Sequence, residues 1–281
     1  MFGYGYLESV IIGIAAMFSS TIIGIKLLPT STLHHQHTGE LLISVLLLQD
    51  ILAIIALLIL EMINGSHGLR QMGFVVCAFP VLFIVAYLFQ RYLLTPLLTR
   101  FDKIQEYIFI LSIGWCLGMA ELGHAFGLSE EIGAFIAGVA LASNPVAFYI
   151  AESLKPLRDF FLVIFFFTVG AEFNFHYFPN IVGQACIFAA LILILKPVVF
   201  WLLFNRAGEV STVSFEIGVR LGQLSEFSLL LNYLALQSGL LSPTASAMLS
   251  AAVIMTFIAS CYWTVFRYPT PLAVTERLRR D

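Results

Sequence analysis

Charged side chains are scarce in this chain of 281 residues, because Asp, Glu, Lys and Arg together make up only 11% of it. Hydrophobic residues make up 60%. A water-soluble globular protein needs more charge to cover its surface, so the composition excludes that class. The net charge of −3 is small and indicates no nucleic-acid partner. The long apolar runs instead predict an all-α polytopic membrane protein in a lipid bilayer.

Cysteine is also sparse, and the four that occur fall singly in separate apolar segments. This spacing predicts neither a disulfide framework nor a metal cluster. The histidines of "HHQH", at positions 34, 35 and 37, have no Cys or acidic fourth ligand beside them and are interpreted as part of a solvated loop. No nucleophile–base constellation occurs at a shared depth, so we expect no metal, no cofactor and no enzymatic activity.

Apolar windows of about 20 residues predict nine transmembrane helices. They lie near residues 5–27, 41–62, 72–93, 105–127, 129–148, 159–178, 180–204, 211–238 and 244–267. The fifth can end early at Asn144-Pro145, since proline disfavours a helical residue before it.

The distribution of basic residues predicts the orientation of these spans. Of the 14 Lys and Arg residues, Lys196 and Arg220 lie within spans, and every other one except Arg70 falls on the same side. The positive-inside rule then predicts an outside N-terminus and a cytoplasmic C-terminus, in a cell inner membrane. The predicted domains are a transmembrane domain over residues 1–268 and a short basic cytoplasmic tail over 269–281.

Two predicted spans are interrupted by clusters of glycine and polar residues. The first contains Ser19, Ser20 and Thr21, and the eighth contains Gly222, Gln223, Ser225 and Glu226. Non-helical backbone at membrane depth is tolerated only where it lines a protein cavity. Interrupted spans of opposite direction are typical of inverted-repeat transporters. Alternatively, the hydroxyls of the first span only bond the preceding turn and aid helix packing.

Four ionisable residues are predicted to lie deep in the membrane: Asp50, Lys196, Arg220 and Glu226. A carboxylate such as Asp50 at the bilayer centre costs roughly 2.5 to 3.5 kcal/mol on insertion scales, which favours a functional reason for keeping it. It can hold a proton or a monovalent cation in turn, which is the minimal chemistry of exchange. The alternative is that Asp50–Lys196 and Arg220–Glu226 are static ion pairs that hold the bundle together.

Five segments together resemble the membrane domain of Kef-type potassium/proton antiporters, in the monovalent cation:proton antiporter-2 family. They are "SSTIIG" (19–24), "LLLQDILAI" (46–54), "IGAFIAGVALA" (132–142), "LKPLRDFFLVIFFFTVGAE" (154–172) and "GQLSEF" (222–227), and Lys196 falls where that family has a membrane lysine.

The resemblance implies that Asp50 binds the ion and the proton where the first and eighth spans cross. It implies that Gln49 stands in the place of a second acid found in electrogenic relatives, so the expected exchange is electroneutral, with K⁺ favoured over Na⁺. Ser19, Ser20, Thr21, Gln223, Ser225 and Glu226 would line the crossing, and Lys196 and Arg220 would balance charge.

The sequence also departs from the family pattern. It is expected to lack the family's first four helices, and no Gly-rich dinucleotide fingerprint follows the last span. Relatives are dimers, so a homodimer is expected if the missing helices are supplied. The alternatives are a non-transporting fragment or partner subunit of a split antiporter and, less favoured, a cation channel.

Overall fold

The computed structural model describes residues 3–29, 37–64, 69–100, 105–142, 144, 146–171 and 178–271. These residues form twelve α-helices and one π-helical turn, with no β-strand among them, so the predicted all-α class is confirmed. His34 and His35 of the predicted solvated loop, and the predicted tail beyond residue 271, lie outside the described residues.

The helices are numbered here in chain order. They are α1 (Tyr6–Met17), α2 (Thr21–Lys26), α3 (His37–Asn64), α4 (Leu69–Phe89), the π-helical turn (Gln90–Leu94), α5 (Thr95–Arg100), α6 (Gln105–Ala125), α7 (Glu130–Ala142), α8 (Ala147–Ala171), α9 (Phe178–Arg206), α10 (Ser211–Arg220), α11 (Glu226–Gln237) and α12 (Pro243–Arg267).

The chain divides into two compact units, and the first comprises residues 1–57 and 173–281. In this unit α9 packs against α10 and α12, and α11 packs against α1 and α12. An apolar cluster joins the ends of α2 and α10 to α3; its buried members are Leu28, Leu42, Leu46, Ile217 and Leu221. All predicted site residues belong to this unit.

The second unit comprises residues 58–172, and within it α7 packs against α4 and α6. The contact between α6 and α7 is close because Gly133 has no side chain. A Cβ atom there would lie 2.2 Å from the carbonyl oxygen of Met119. The indole N–H of Trp115 on α6 donates to the carbonyl oxygen of Ala137 on α7 at 3.1 Å.

Six helical segments of the described residues are long and apolar enough to cross a membrane. They are Tyr6–Lys26, which includes a break, His37–Leu60, Cys77–Arg100, Glu106–Ala125, Ile181–Arg206 and Pro243–Arg267. These match the first four, the seventh and the ninth predicted spans. The count of nine stays a prediction, since the helices at the other three positions are short, broken or charged.

The fifth and sixth predicted spans have different boundaries in the structure. Helix α7 has only 13 residues and ends at Ala142, so the early end expected before Asn144-Pro145 is confirmed. Helix α8 begins at Ala147, twelve residues before the predicted start near 159, because Asn144 Oδ1 accepts the Val146 N–H at 3.1 Å and caps the turn that leads into it. Residues 149–158, between the fifth and sixth predicted spans, are therefore helical.

Candidate functional site

The first predicted span is broken between α1 and α2. Helix α1 ends at Met17, Phe18 and Ser20 have extended backbones, and α2 begins at Thr21. Ser20 is the N-cap of α2, and its Oγ accepts the backbone N–H of Ile23 at 3.1 Å. The interruption predicted from the Ser-Ser-Thr cluster is confirmed.

The eighth predicted span is broken between α10 and α11. Helix α10 ends at Arg220, and α11 begins at Glu226 after the N-cap residue Ser225. Ser225 Oγ accepts the N–H of Phe227 at 3.1 Å, and the Ser225 N–H donates to Ser228 Oγ at 3.1 Å. The second half, α11, therefore starts with its own cap, as α2 does after the first break, and this stabilises a break at this point.

The two breaks lie against each other, and we refer to residues 18–20 and 221–225 together as the crossing. Ser19 Oγ donates to the carbonyl oxygen of Leu221 at 2.8 Å. Gln223 Nε2 donates more weakly to the carbonyl oxygen of Ser20 at 3.4 Å. These bonds use carbonyl groups at or beside the helix ends, so side chains replace the missing helical partners.

Asp50 lies on α3 beside the start of α2 and is half-buried. The hydroxyl of Thr21 donates to its carboxylate, with Oγ1 at 3.2 Å from Oδ1 and 3.5 Å from Oδ2. Within the described part of the chain, this hydroxyl is the one donor to the two oxygens of Asp50. The carboxylate therefore keeps several lone pairs for another ligand.

Gln49 is buried next to Asp50 and spans the break between α1 and α2. Its Nε2 donates to the carbonyl oxygen of Met17 at 3.1 Å, and its Oε1 accepts the N–H of Ser19 at 3.0 Å. An amide can donate and accept at once, whereas an ionised carboxylate can only accept. Gln49 thus has a structural role in addition to the predicted effect on charge.

Glu226 is the first residue of α11, and its carboxylate lies among donors. It accepts the hydroxyl of Ser20 at 2.5 Å and that of Ser225 at 3.3 Å. The side chain therefore links the starts of the two C-terminal half-helices.

Lys196 on α9 is buried and contacts the other ends of the broken helices. Its Nζ donates to the carbonyl oxygens of Phe18 and Gln223, each at 2.7 Å. Lys196 thus donates to carbonyl groups that the breaks leave without a helical partner. These bonds replace the Asp50–Lys196 ion pair that was an alternative prediction from the sequence.

Arg220 is buried at the end of α10 and pairs with Glu216, with Nη2 and Oε1 2.9 Å apart. The alternative Arg220–Glu226 pair is therefore wrong, because Glu226 begins the next helix and accepts from Ser20 and Ser225. Arg220 also donates to the carbonyl oxygens of Leu27 and Pro269, each at 3.0 Å. Its contacts tie the ends of α2, α10 and α12 together.

The ring of Tyr268 lies under the Arg220 guanidinium, 5.4 Å from centroid to Cζ. Burial, followed by the charge of Glu216, raises the pKa of the Tyr268 hydroxyl. The phenol is therefore neutral at physiological pH, and its ring provides a cation–π contact.

Sequence reasoning did not find several residues that support the crossing. Ser260 on α12 donates to Gln223 Oε1 at 2.9 Å, and Thr256 Oγ1 accepts the N–H of Leu224 at 3.2 Å. A hydroxyl in an apolar span is a weak signal, because such groups usually bond their own helix. The i,i+4 spacing of Glu216 and Arg220 was the available signal for that pair.

The predicted crossing residues Ser19, Ser20, Gln223 and Ser225 come together as described, and Thr21 connects them to Asp50. A family model described as "Sodium/hydrogen exchanger, transmembrane" matches residues 1–266. The chain belongs to the sodium/hydrogen exchanger family. Members of this family are membrane proteins, so the predicted multi-pass membrane character is confirmed by the match and the apolar helices.

Individual relatives of this exchanger-family chain include potassium antiporters. It is 28% identical over 237 residues to "K(+) efflux antiporter 5" of Arabidopsis thaliana, covering 80% of this chain and 41% of the relative. It is 24% identical over 236 residues to "K(+) efflux antiporter 4" of the same plant, covering 80% and 39%. These similarities support the Kef-type resemblance.

A third relative is the "Iron transporter MagA" of Paramagnetospirillum magneticum, 26% identical over 259 residues, covering 91% of this chain and 59% of the relative. The chain thus spans about two-fifths to three-fifths of the length of these three curated relatives.

Proposed function

We propose that this chain exchanges a monovalent cation for a proton across a membrane, with K⁺ preferred over Na⁺. Asp50 holds the cation or the proton in turn, and alternating access exposes it to each side. The observation that carries the proposal is the incomplete coordination of Asp50: one hydroxyl donor serves two carboxylate oxygens beside a broken helix.

The other charged groups near the crossing support Asp50 as the exchange site because each has more hydrogen-bond or ion-pair partners than Asp50. Glu226 accepts from two hydroxyls. Lys196 donates to two carbonyls, and Arg220 is paired with Glu216. A cation or proton that arrives at this place finds free lone pairs at Asp50.

The ligand set around Asp50 suits a hard cation. Hydroxyl and carbonyl oxygens at the crossing can complete the coordination of Asp50, and such oxygens are preferred by alkali and alkaline-earth ions. The neutral amide of Gln49 leaves one acid at this position of α3, which supports electroneutral exchange of one cation for one proton. The preference for K⁺ rests on the relatives named as K⁺ efflux antiporters.

The membrane arrangement is also part of the proposal. The two broken spans would be corresponding elements of an inverted repeat, with the N-terminus outside, the C-terminus in the cytoplasm and the chain a homodimer in the inner membrane. Basic residues on one side of the predicted spans support this orientation. Fluorescent-protein and alkaline-phosphatase fusions at the C-terminus test it: only the former should be active.

The first experiment measures cation-dependent collapse of a pH gradient in proteoliposomes that contain the purified chain. K⁺, Na⁺ and Fe²⁺ are compared, the last because of the iron transporter relative. Asp50→Asn should abolish the response. Glu152→Gln is the matched control, since the Glu152 side chain is exposed and lies 3.6 Å from Lys155 in a surface ion pair.

The outcomes separate the alternatives. Gradient collapse by K⁺ that is lost in Asp50→Asn supports exchange, and insensitivity to an imposed membrane potential supports electroneutrality. Cation current without proton movement would instead show a channel. A folded wild-type chain without flux would contradict the proposal and favour the partner-subunit alternative.

A further inference from the structure

Buried polar side chains continue along α11 from the crossing. The N-cap Ser225 is followed by Ser228 and then by Asn232, at three- and four-residue spacing, so the three lie on one face of the helix. Ser225 and Ser228 are fully buried, and Asn232 is 4% exposed. Ser228 Oγ donates to the carbonyl oxygen of Ala15 on α1 at 2.6 Å. The proposed exchange at Asp50 gives this face no role.

Helix α12 meets this face with hydroxyls of its own. Its N-cap Ser242 is followed at four-residue spacing by Ser246 and Ser250, which share one face of α12. The amide of Asn232 joins the two helices, since Nδ2 donates to the carbonyl oxygen of Ser246 at 3.1 Å and to Ser250 Oγ at 2.9 Å. We refer to residues 225, 228, 232, 246 and 250 together as the polar seam.

One atom of the polar seam has no partner. Asn232 Oδ1 is buried, and no described residue donates a hydrogen bond to it. An unsatisfied buried acceptor is costly, and most such groups in proteins bond either to protein or to ordered water. Turning the amide round would not help, because Oδ1 would then face the carbonyl oxygen of Ser246, which is also an acceptor. The amide oxygen therefore needs a donor that the facing side chains do not supply.

Water is a donor that fits this position. A buried water needs about two to four polar partners. Besides Asn232 Oδ1, the hydroxyl of Ser228 lies one turn away on α11, and that of Ser250 contacts the same amide. A hydroxyl can donate or accept, so these groups can serve a water in either direction.

The polar seam begins at a cavity. An open cavity of about 660 Å³ lies at the start of α1, the end of α11 and the start of α12, and Glu8, Gly239 and Ser242 are among the residues that line it. Glu8 Oε1 accepts the N–H of Ser242 at 2.8 Å, which holds the starts of α1 and α12 together at its edge. Ser246 follows Ser242 by one turn of α12, so the first buried residue of the polar seam lies next to this cavity.

We propose that the polar seam is a hydrated route from this cavity to the crossing, in which Asn232 binds an ordered water through Oδ1. The route ends at Ser228, whose Oγ accepts the N–H of Ser225 in the crossing at 3.1 Å. It deepens the proposed function and rests on it, because it would give water and protons access to the crossing from the side that the predicted orientation places outside. Its hydration can be measured without any transport.

Cysteine accessibility tests the hydration, because a thiol reacts as the thiolate, which forms in water and not in apolar surroundings. The full chain, with its four native cysteines changed to alanine, receives one cysteine at a time and is treated with Ag⁺ from either membrane side. Ser246→Cys and Ser228→Cys report on the polar seam. Ala245→Cys is the matched control, since Ala245 is buried beside Ser246 but is apolar. Tyr6→Cys marks the accessible side, since Tyr6 lines the cavity and is 89% exposed.

We expect Ser246→Cys and Ser228→Cys to react about tenfold or more faster than Ala245→Cys, and from the same membrane side as Tyr6→Cys. A rate at Ser228→Cys no higher than that at Ala245→Cys would overturn the route. Reaction of the seam cysteines only from the side opposite Tyr6→Cys would overturn it as well.

Asn232→Leu tests the bound water, because it keeps the approximate size of the side chain and removes Oδ1. Combined with Ser228→Cys, it should slow the reaction with Ag⁺ about tenfold, whereas Ser246→Cys, next to the cavity, should stay fast. If Asn232 served only as a bond between helices, the rate at Ser228→Cys would not change, and that result would contradict the water site.

The results on hydration and on exchange are independent. If Asn232→Leu does not fold, the comparison of Ser246→Cys and Ser228→Cys with Ala245→Cys still decides whether the route is hydrated. If the wild-type chain shows no flux, the exchange proposal fails while the accessibility of the polar seam stands. If the polar seam is protected in a chain that exchanges K⁺ for protons, the route fails while exchange at Asp50 stands.

Discussion

The hydroxyl Oγ1 of Thr21 lies 3.2 Å from Oδ1 of Asp50, so the first residue of α2 holds the carboxylate of α3. A change in the backbone of the break therefore reaches the proposed ion-binding carboxylate through a single hydrogen bond. A movement of the break would therefore change the hydrogen bonding of the Asp50 carboxylate directly.

Thr21→Val keeps the size of the side chain and removes this hydroxyl. A hydrogen bond to a charged group contributes about 1.5 to 3 kcal/mol, and the half-buried position of Asp50 reduces that to about 1 kcal/mol. We expect the KM for K⁺ to rise about fivefold, measured from initial exchange rates over a range of K⁺ concentrations. Thr21→Ser is the control and should stay close to wild type; equal effects of both changes would contradict a role for the hydroxyl.

We expect the main effect of Gln49→Glu to be a loss of stability of the folded protein, and not a change from electroneutral to electrogenic exchange. The amide donates to the carbonyl of Met17 and accepts from the N–H of Ser19, and an ionised glutamate cannot make the first bond. We expect a lower apparent melting temperature for the purified variant in detergent. Gln90→Glu is the matched comparison, because it makes the same chemical change in the second unit, where Gln90 Nε2 donates to Thr95 Oγ1. A fully stable Gln49→Glu with electrogenic exchange would show that charge alone matters here.

The breaks themselves could be predicted from sequence because their cause is local. Glycine and hydroxyl residues in "SSTIIG" and "GQLSEF" weaken a helix, and Ser20 and Ser225 are good N-caps. The position of Asp50 beside the first break followed from the family resemblance and could not be derived from spacing, since 29 residues separate it from Thr21.

The partners of the buried cations could not be predicted, because they depend on where helices end. Arg220 has Glu216 four residues before it and Glu226 six residues after it. Only the structure shows that α10 ends at Arg220, which leaves Glu216 on the shared helix face and moves Glu226 to another helix. Lys196 donates to backbone carbonyls. A sequence does not show which carbonyls a break leaves without a helical partner, so these partners could not be predicted.

Lys196→Met should lower the stability of the first unit. The change removes the donor to the carbonyls of Phe18 and Gln223, and each unsatisfied buried carbonyl costs about 1 to 3 kcal/mol. We expect a clear drop in apparent melting temperature in detergent. Lys155→Met is the control, because the Lys155 side chain is 54% exposed and its ion pair with Glu152 is at the surface. An unchanged melting temperature in Lys196→Met would show that other groups satisfy these carbonyls.

Arg220 and Glu216 should show a coupling of about 1 kcal/mol in a double-mutant cycle. Arg220→Met removes donors to Leu27 and Pro269 as well as the ion pair, so it should destabilise more than Glu216→Gln, by roughly 3 to 5 kcal/mol against about 1. The second figure is small because the Glu216 side chain is 22% exposed. The double variant should be no less stable than Arg220→Met alone. Additive losses of stability would contradict the pair as the main link of Glu216 to the fold.

Glycine-to-alanine changes at two positions of α7 should have opposite effects on stability. At Gly133 the new Cβ would lie 2.2 Å from the carbonyl oxygen of Met119 and 2.8 Å from the Cα of Ala120, so α6 and α7 must separate. Overpacking of this kind costs about 1 to 3 kcal/mol. At Gly138 nothing lies within 4 Å of the new Cβ, and alanine is the better helix former by up to about 1 kcal/mol. Apparent melting temperatures should therefore fall for Gly133→Ala and hold or rise for Gly138→Ala, and a shared direction would contradict the close contact of α6 with α7.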